Sequence, residues 1–171
     1  MVKKRGFTLI EILVVVGILA IIVVVGTTSF FNLLKGSTKT RTANMVKQNG
    51  DYAMGVMTRM IRNAREIVLD PGEECTSGMK EIEISNPDGG FTTFSCIDSP
   101  ISSNSASLIS NQVKVANGKC SLDCQHTSII EPDVVTINFT LSQAQEDVRP
   151  EEAVSIVFKT TVVLRNIAGY D

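Results

Sequence analysis

Apolar and polar positions are distributed very unevenly along this chain. From Ile12 to Leu34 there is no charged residue, and Val, Ile and Leu fill most of the run. As a helix those residues would extend about 35 Å, enough to cross a hydrocarbon layer of about 30 Å. After Leu34 the pattern changes. Lys35, Lys39, Arg41 and Lys47 bring in charge, while Val46, Ala53, Val56, Met57, Met60, Ile61, Ala64, Ile67 and Val68 recur every three or four positions. That spacing predicts an amphipathic helix with one apolar stripe. Asp70-Pro71-Gly72 is expected to end it, and Gly36, Gly50 and Gly55 to weaken parts of it, with a bend or break between residues 36 and 50. Met45, Met54, Met57 and Met60 fit a core stripe better than a binding groove.

Beyond residue 71 the period falls to two. KEIEIS, NPDGG and FTTFSC read as strand, turn and strand over residues 80–96. The Ser-rich stretch IDSPISSNSASLISN reads as a loop with a short strand at 106–110, and 112–116 as a further strand. DVVTINFTLS (133–142) and AVSIVFKTTVVLR (153–165) are the strongest strand candidates, rich in β-branched residues. The charged QAQEDVRPEE between them reads as an exposed connection. One long helix followed by four to six antiparallel strands is an α+β architecture, with the C-terminal half of the helix on one sheet face. There is no internal repeat.

Charge sharpens the picture at the N-terminus. Lys3, Lys4 and Arg5 precede the apolar run, which orients that end toward the cytoplasm and the remainder outside the inner membrane. Removing them from the 16 basic residues leaves 13 against 18 acidic ones, so the chain without its leader would carry −5. That balance argues against nucleic-acid binding by bulk charge. Arg59, Arg62 and Arg65, close on one helical face, leave room for nucleic acid or an acidic partner without indicating either. The bland reading of that strip is a solvated surface.

A secretory signal cleaved near Gly26 and a simple signal anchor both account for the apolar run. Neither accounts for Glu11. A carboxylate in a membrane helix costs about 2.5–3.5 kcal/mol on insertion scales and marks a functional position. Its cheapest cationic partner is a free amino terminus made by cutting between Gly6 and Phe7.

KKRGFTLIEILVVVGILAII resembles the prepilin signal shared by type IV pilins and type II secretion pseudopilins: basic leader, Gly6, Phe7, Thr-Leu-Ile, then Glu11 as the fifth residue of the mature chain. The resemblance implies a cleaved leader (1–6), a transmembrane and filament-core helix (7–34), its amphipathic continuation (35–70) and an extracytoplasmic β-rich domain (71–171). It implies cutting after Gly6 by a prepilin peptidase, N-methylation of Phe7, and filament assembly through Glu11 and a neighbour's amine. The implied partners are that peptidase, other major and minor pilins in a helical filament, an inner-membrane assembly platform, and the bilayer before assembly. The segments YAMGVMTRMIRNAREI and FKTTVVLRNIAGYD, through Arg59, Ile61, Arg62, Ala64 and Arg165-Asn166, are similar to minor pilins of the J-type or PilW-like group, which prime assembly at a filament tip. The competing function is a membrane-tethered binding module that uses the helix only as an anchor.

Cys75, Cys96, Cys120 and Cys124 all follow the apolar run, and an even number there favours disulfides. Three pairings are open. Cys75–Cys96 with Cys120–Cys124 is favoured because the second pair would close a small loop, and a crossed arrangement remains open. Zinc at Cys120, Cys124 and His126 is the competing idea; it lacks the usual ligand repeat. Glu73-Glu74 and Glu151-Glu152 lack the alternating spacing of a calcium loop. No catalytic motif is present, so neither enzyme activity nor a cofactor is expected.

Overall fold

The computed structural model describes residues 6, 8–69, 75–97, 100–125, 132–145 and 152–165. Within them lie one helix and eight strands: α1 (Leu9–Asn63), β1 (Glu66–Val68), β2 (Glu81–Ser85), β3 (Phe91–Ser95), β4 (Ser102–Ser103), β5 (Ala106–Ser107), β6 (Val113–Gln125), β7 (Val134–Gln143) and β8 (Ser155–Val163). The α+β class is as expected. The strands exceed the four to six anticipated and form two antiparallel sheets, ordered β1-β2-β3-β4-β5 and β6-β7-β8. The chain divides into two compact units, Met1–Thr40 and Arg41–Asp171, and α1 contributes to both.

In the first unit, the large hydrophobics from Leu9 to Leu34 are all exposed, none below 48%. Two threonine side chains in this stretch satisfy themselves locally. The Thr27 hydroxyl donates to the Val23 and Val24 carbonyls at 2.7 and 3.0 Å, and Thr28 does the same to Val24 and Val25 at 3.2 and 2.9 Å. Back-bonding of this kind lets a hydroxyl sit in an apolar helix without exposing an unmet donor.

In the second unit, α1 buries Val46, Gly50, Ala53, Met57 and Ile61, a stripe at spacings of four and three. These join one core with Ile82, Ile84 and Phe94 from the larger sheet and Leu122, Val135, Ile137, Phe139, Leu141, Phe158 and Val162 from the smaller. Phe139 and Phe158, cross-strand partners in β7 and β8, stack with centroids 5.3 Å apart. The helix is unbroken at Gly50, and a Cβ there would run into the Phe158 ring. The glycine is a packing notch.

The helix also stops earlier than its apolar stripe. Ala64 and Arg65 leave the helical ladder, and Arg65 N–H donates to the Ser85 carbonyl at 2.8 Å, opening β1 alongside β2. Residues 66–68 are therefore a strand, not the tail of the helix. Asp70-Pro71-Gly72 lies outside the described residues, as do Phe7, Glu73-Glu74, His126, Pro150, Glu151 and Asn166.

The β2–β3 hairpin follows its turn chemistry. Asn86 N–H donates to the Gly90 carbonyl at 2.7 Å, and Gly89 takes φ +84°, which a side chain would resist. The Ser-rich stretch is more ordered than a loop: Asn104 and Ser105 both have positive φ, making the two-residue turn between β4 and β5. β6 extends well past the expected 112–116. Its register slips between Val115 and Cys120, so residues 116–119 bulge and pairing with β7 resumes.

The disulfides are Cys75–Cys124 and Cys96–Cys120, with Cα atoms 4.9 and 6.4 Å apart. This nested pairing overturns the favoured Cys75–Cys96 and Cys120–Cys124. The reason is the length of β6. Cys120 and Cys124 both face the core from one extended strand, where four residues span about 13 Å, roughly twice what a disulfide bridges. Each instead reaches across. The segment before β2 runs beside β6, with Cys124 and Leu122 N–H groups donating to the Thr76 and Met79 carbonyls at 3.1 and 2.8 Å. The bridges thus staple β6 of the small sheet to the segments flanking β2 and β3 of the large one.

Candidate assembly site on the N-terminal helix

Glu11 is the only charged residue between Arg5 and Lys35. It stands in the first turn of α1, where Thr8 caps the helix: Glu11 N–H donates to the Thr8 carbonyl at 3.1 Å and meets its hydroxyl at 3.4 Å. Thr8-Leu9-Ile10-Glu11 therefore has the capping-box spacing, a local role the sequence reading passed over although T-x-x-E was visible. Capping uses the Thr8 side chain and the Glu11 backbone. The Glu11 carboxylate accepts no hydrogen bond and makes no ion pair among the described residues. A negative charge near a helix N-terminus gains about 0.3–1 kcal/mol from the helix dipole, which is less than the cost of placing it in lipid. The site is thus a carboxylate with no partner among the described residues, at the start of a helix whose large apolar side chains are all exposed from Leu9 to Leu34.

Gly6 is exposed and directly precedes Phe7. α1 is long and apolar enough to cross a membrane, and none of its most apolar window is buried within the chain.

The predicted basic strip is split by the structure. Arg59 and Arg62 are exposed on α1, but Arg65 lies past the helix end, where its Nη2 donates to the Pro87 carbonyl at 2.8 Å. Arg165 takes its place: it follows β8, and its backbone N–H donates to the Arg62 carbonyl at 3.0 Å. All four cysteines are bridged, and no group of three or more potential metal-ligating residues occurs among the described residues.

Residues 1–27 match the family model described as the prokaryotic N-terminal methylation motif. The chain therefore carries a prepilin-type N-terminal signal, in which Gly6, Phe7 and Glu11 all fall within the matched span. No curated protein and no solved structure matches the chain.

Proposed function

We propose that the chain is a structural subunit of a type IV pilus or type II secretion pseudopilus, and a minor one that primes assembly at the filament tip. A prepilin peptidase cuts after Gly6 and methylates Phe7 on the cytoplasmic face. The mature chain then waits in the inner membrane on its 7–34 helix, with the β-rich part outside, until an assembly platform loads it into a filament of other pilins.

The observation that carries this is Glu11. It is the one carboxylate in the exposed apolar half of α1, within a matched N-terminal methylation motif, and it has no partner among the described residues. The new amine of a neighbouring Phe7 would supply the missing charge. In low dielectric such a pair is worth forming only when both members are present, because a single buried ion is destabilising by about 3–5 kcal/mol. A tether for a binding module has no use for that arrangement. Assignment to the minor, J-type or PilW-like group rests on the sequence resemblance at Arg59, Ile61, Arg62, Ala64 and Arg165-Asn166.

The test is Glu11→Ala in cells that assemble the filament. The variant should be inserted and processed normally but incorporate poorly, while Glu11→Asp should recover part of the loss. Wild-type incorporation of Glu11→Ala would remove this account of the residue.

A further inference from the structure

Near the C-terminal end of α1 lies an open groove of about 530 Å³, lined by Asp51, Gly55, Thr58, Arg59, Arg62 and Arg165 among others. Two of its arginines come from the helix. The third is more than a hundred positions away in sequence and is held there by its backbone hydrogen bond to Arg62. None of the three is paired with a carboxylate among the described residues; Asp51, the groove's own acid, is engaged by Lys47 at 2.8 Å. Three arginines lining one groove repel one another unless a counter-charge is supplied. The helix dipole accounts for Arg62, which stands in the last turn. It does not account for Arg165, which belongs to no helix.

Gly55 is a second, independent oddity of the same groove. It is exposed in a helix interior, where glycine costs about 1 kcal/mol relative to alanine. Gly50, five residues earlier, recovers that cost by admitting Phe158, whereas a Cβ at Gly55 would meet nothing within 4 Å. The missing side chain serves no contact among the described residues and leaves a gap in the groove wall.

We infer that this groove is a recognition site for an acidic segment of a neighbouring protein subunit, with paired Asp or Glu carboxylates seated on Arg59, Arg62 and Arg165 and the segment's backbone passing close over Gly55. The identification of the neighbour as a subunit rests on the filament reading above; the recognition chemistry does not. Arginine forks match carboxylates in two-point hydrogen bonds. Phosphate offers the same oxygens, but the chain's net charge of −2 and the Asp51 carboxylate at the groove disfavour a continuous phosphodiester backbone. A protein segment needs only two or three negative charges and tolerates one acid nearby.

The experiment places a photo-crosslinking amino acid at Thr58 of the full chain in its native cells, with Val157, exposed on β8, as the control position. Crosslinked peptides are sequenced by mass spectrometry, and the N-terminal peptide is read in the same digest. The expected adduct is a protein segment with at least two closely spaced Asp or Glu residues. Its yield should fall by about tenfold in Arg59→Glu/Arg62→Glu and largely survive in Arg59→Lys/Arg62→Lys, with both disulfides verified in each variant. No adduct above the Val157 control, an adduct to nucleic acid, or a yield unchanged by the charge reversal would overturn the inference. The N-terminal peptide separates the two levels. Methylated Phe7 without an acidic adduct sinks the groove alone, and an acidic adduct on an unprocessed chain sinks the filament reading alone.

Discussion

The two halves of α1 obey opposite rules although one hydrogen-bonded ladder runs through both. Between Leu9 and Leu34 the helix is apolar on every face, and every large side chain is at least 48% exposed. Between Val46 and Ile61 only a narrow stripe is apolar, and that stripe is buried to 1% or less at Val46, Ala53, Met57 and Ile61. The second half finds its apolar partner within its own chain. The first half has none among the described residues, and an all-round apolar surface of this kind suits lipid or other helices. The comparison teaches that the stretch of α1 that stabilises the globular unit is separate from the stretch to which the proposed assembly role belongs. Substitutions should reveal them one at a time.

The largest expected effect is in the core beneath the second half. Phe139→Ala removes a fully buried ring stacked on Phe158 and should cost about 3–5 kcal/mol in denaturant unfolding of the detergent-solubilised chain. Ile18→Ala, in the first half, should leave that unfolding transition where it was. An equal loss from both would erase the distinction.

Next in size is the Cys96–Cys120 bridge, which closes a 24-residue separation. Replacing both cysteines with alanine should lower stability by about 3–4 kcal/mol, the loop-closure entropy returned to the unfolded chain. The same bridge makes a mapping prediction: nonreducing digestion should yield Cys96–Cys120 and Cys75–Cys124 peptides, and a Cys120–Cys124 peptide would contradict the position of β6.

Smaller, and opposite in sign, are the two glycines of the second half. Gly50→Ala drives a methyl into Phe158 and should cost about 1–3 kcal/mol. Gly55→Ala enters open space and should stabilise the helix by about 0.5–1 kcal/mol while weakening whatever occupies the arginine groove. Thermal unfolding of the two variants, compared with wild type, checks both signs.

The first half of α1 was legible in the sequence because everything that defines it is local: charge before, apolar run after, one acid at a fixed offset. β2, β3, β7 and β8 were legible for the same reason, through alternation and the NPDGG turn. What escaped was decided by contacts distant in sequence. Ile67 and Val68 fit a helical stripe as well as a strand, and pairing with β2 chose the strand. Lys119, Gly118 and Asn117 interrupt β6 with turn-like residues, which concealed that it resumes at Cys120 and carries two cysteines that cannot bond to each other. Gly50 read as a weak point because nothing local announces Phe158. Arg165 could not be grouped with Arg59 and Arg62 until β8 brought it there.

The central claim is that the first half of α1 carries a processed prepilin terminus beside Glu11. Intact-mass and N-terminal peptide spectrometry of the protein from native membranes tests it most directly. The account predicts a chain beginning with N-methylated Phe7. A chain beginning at Thr27 would show an ordinary secreted domain, and one retaining Met1 in peptidase-positive cells would show a plain anchor; either would contradict it.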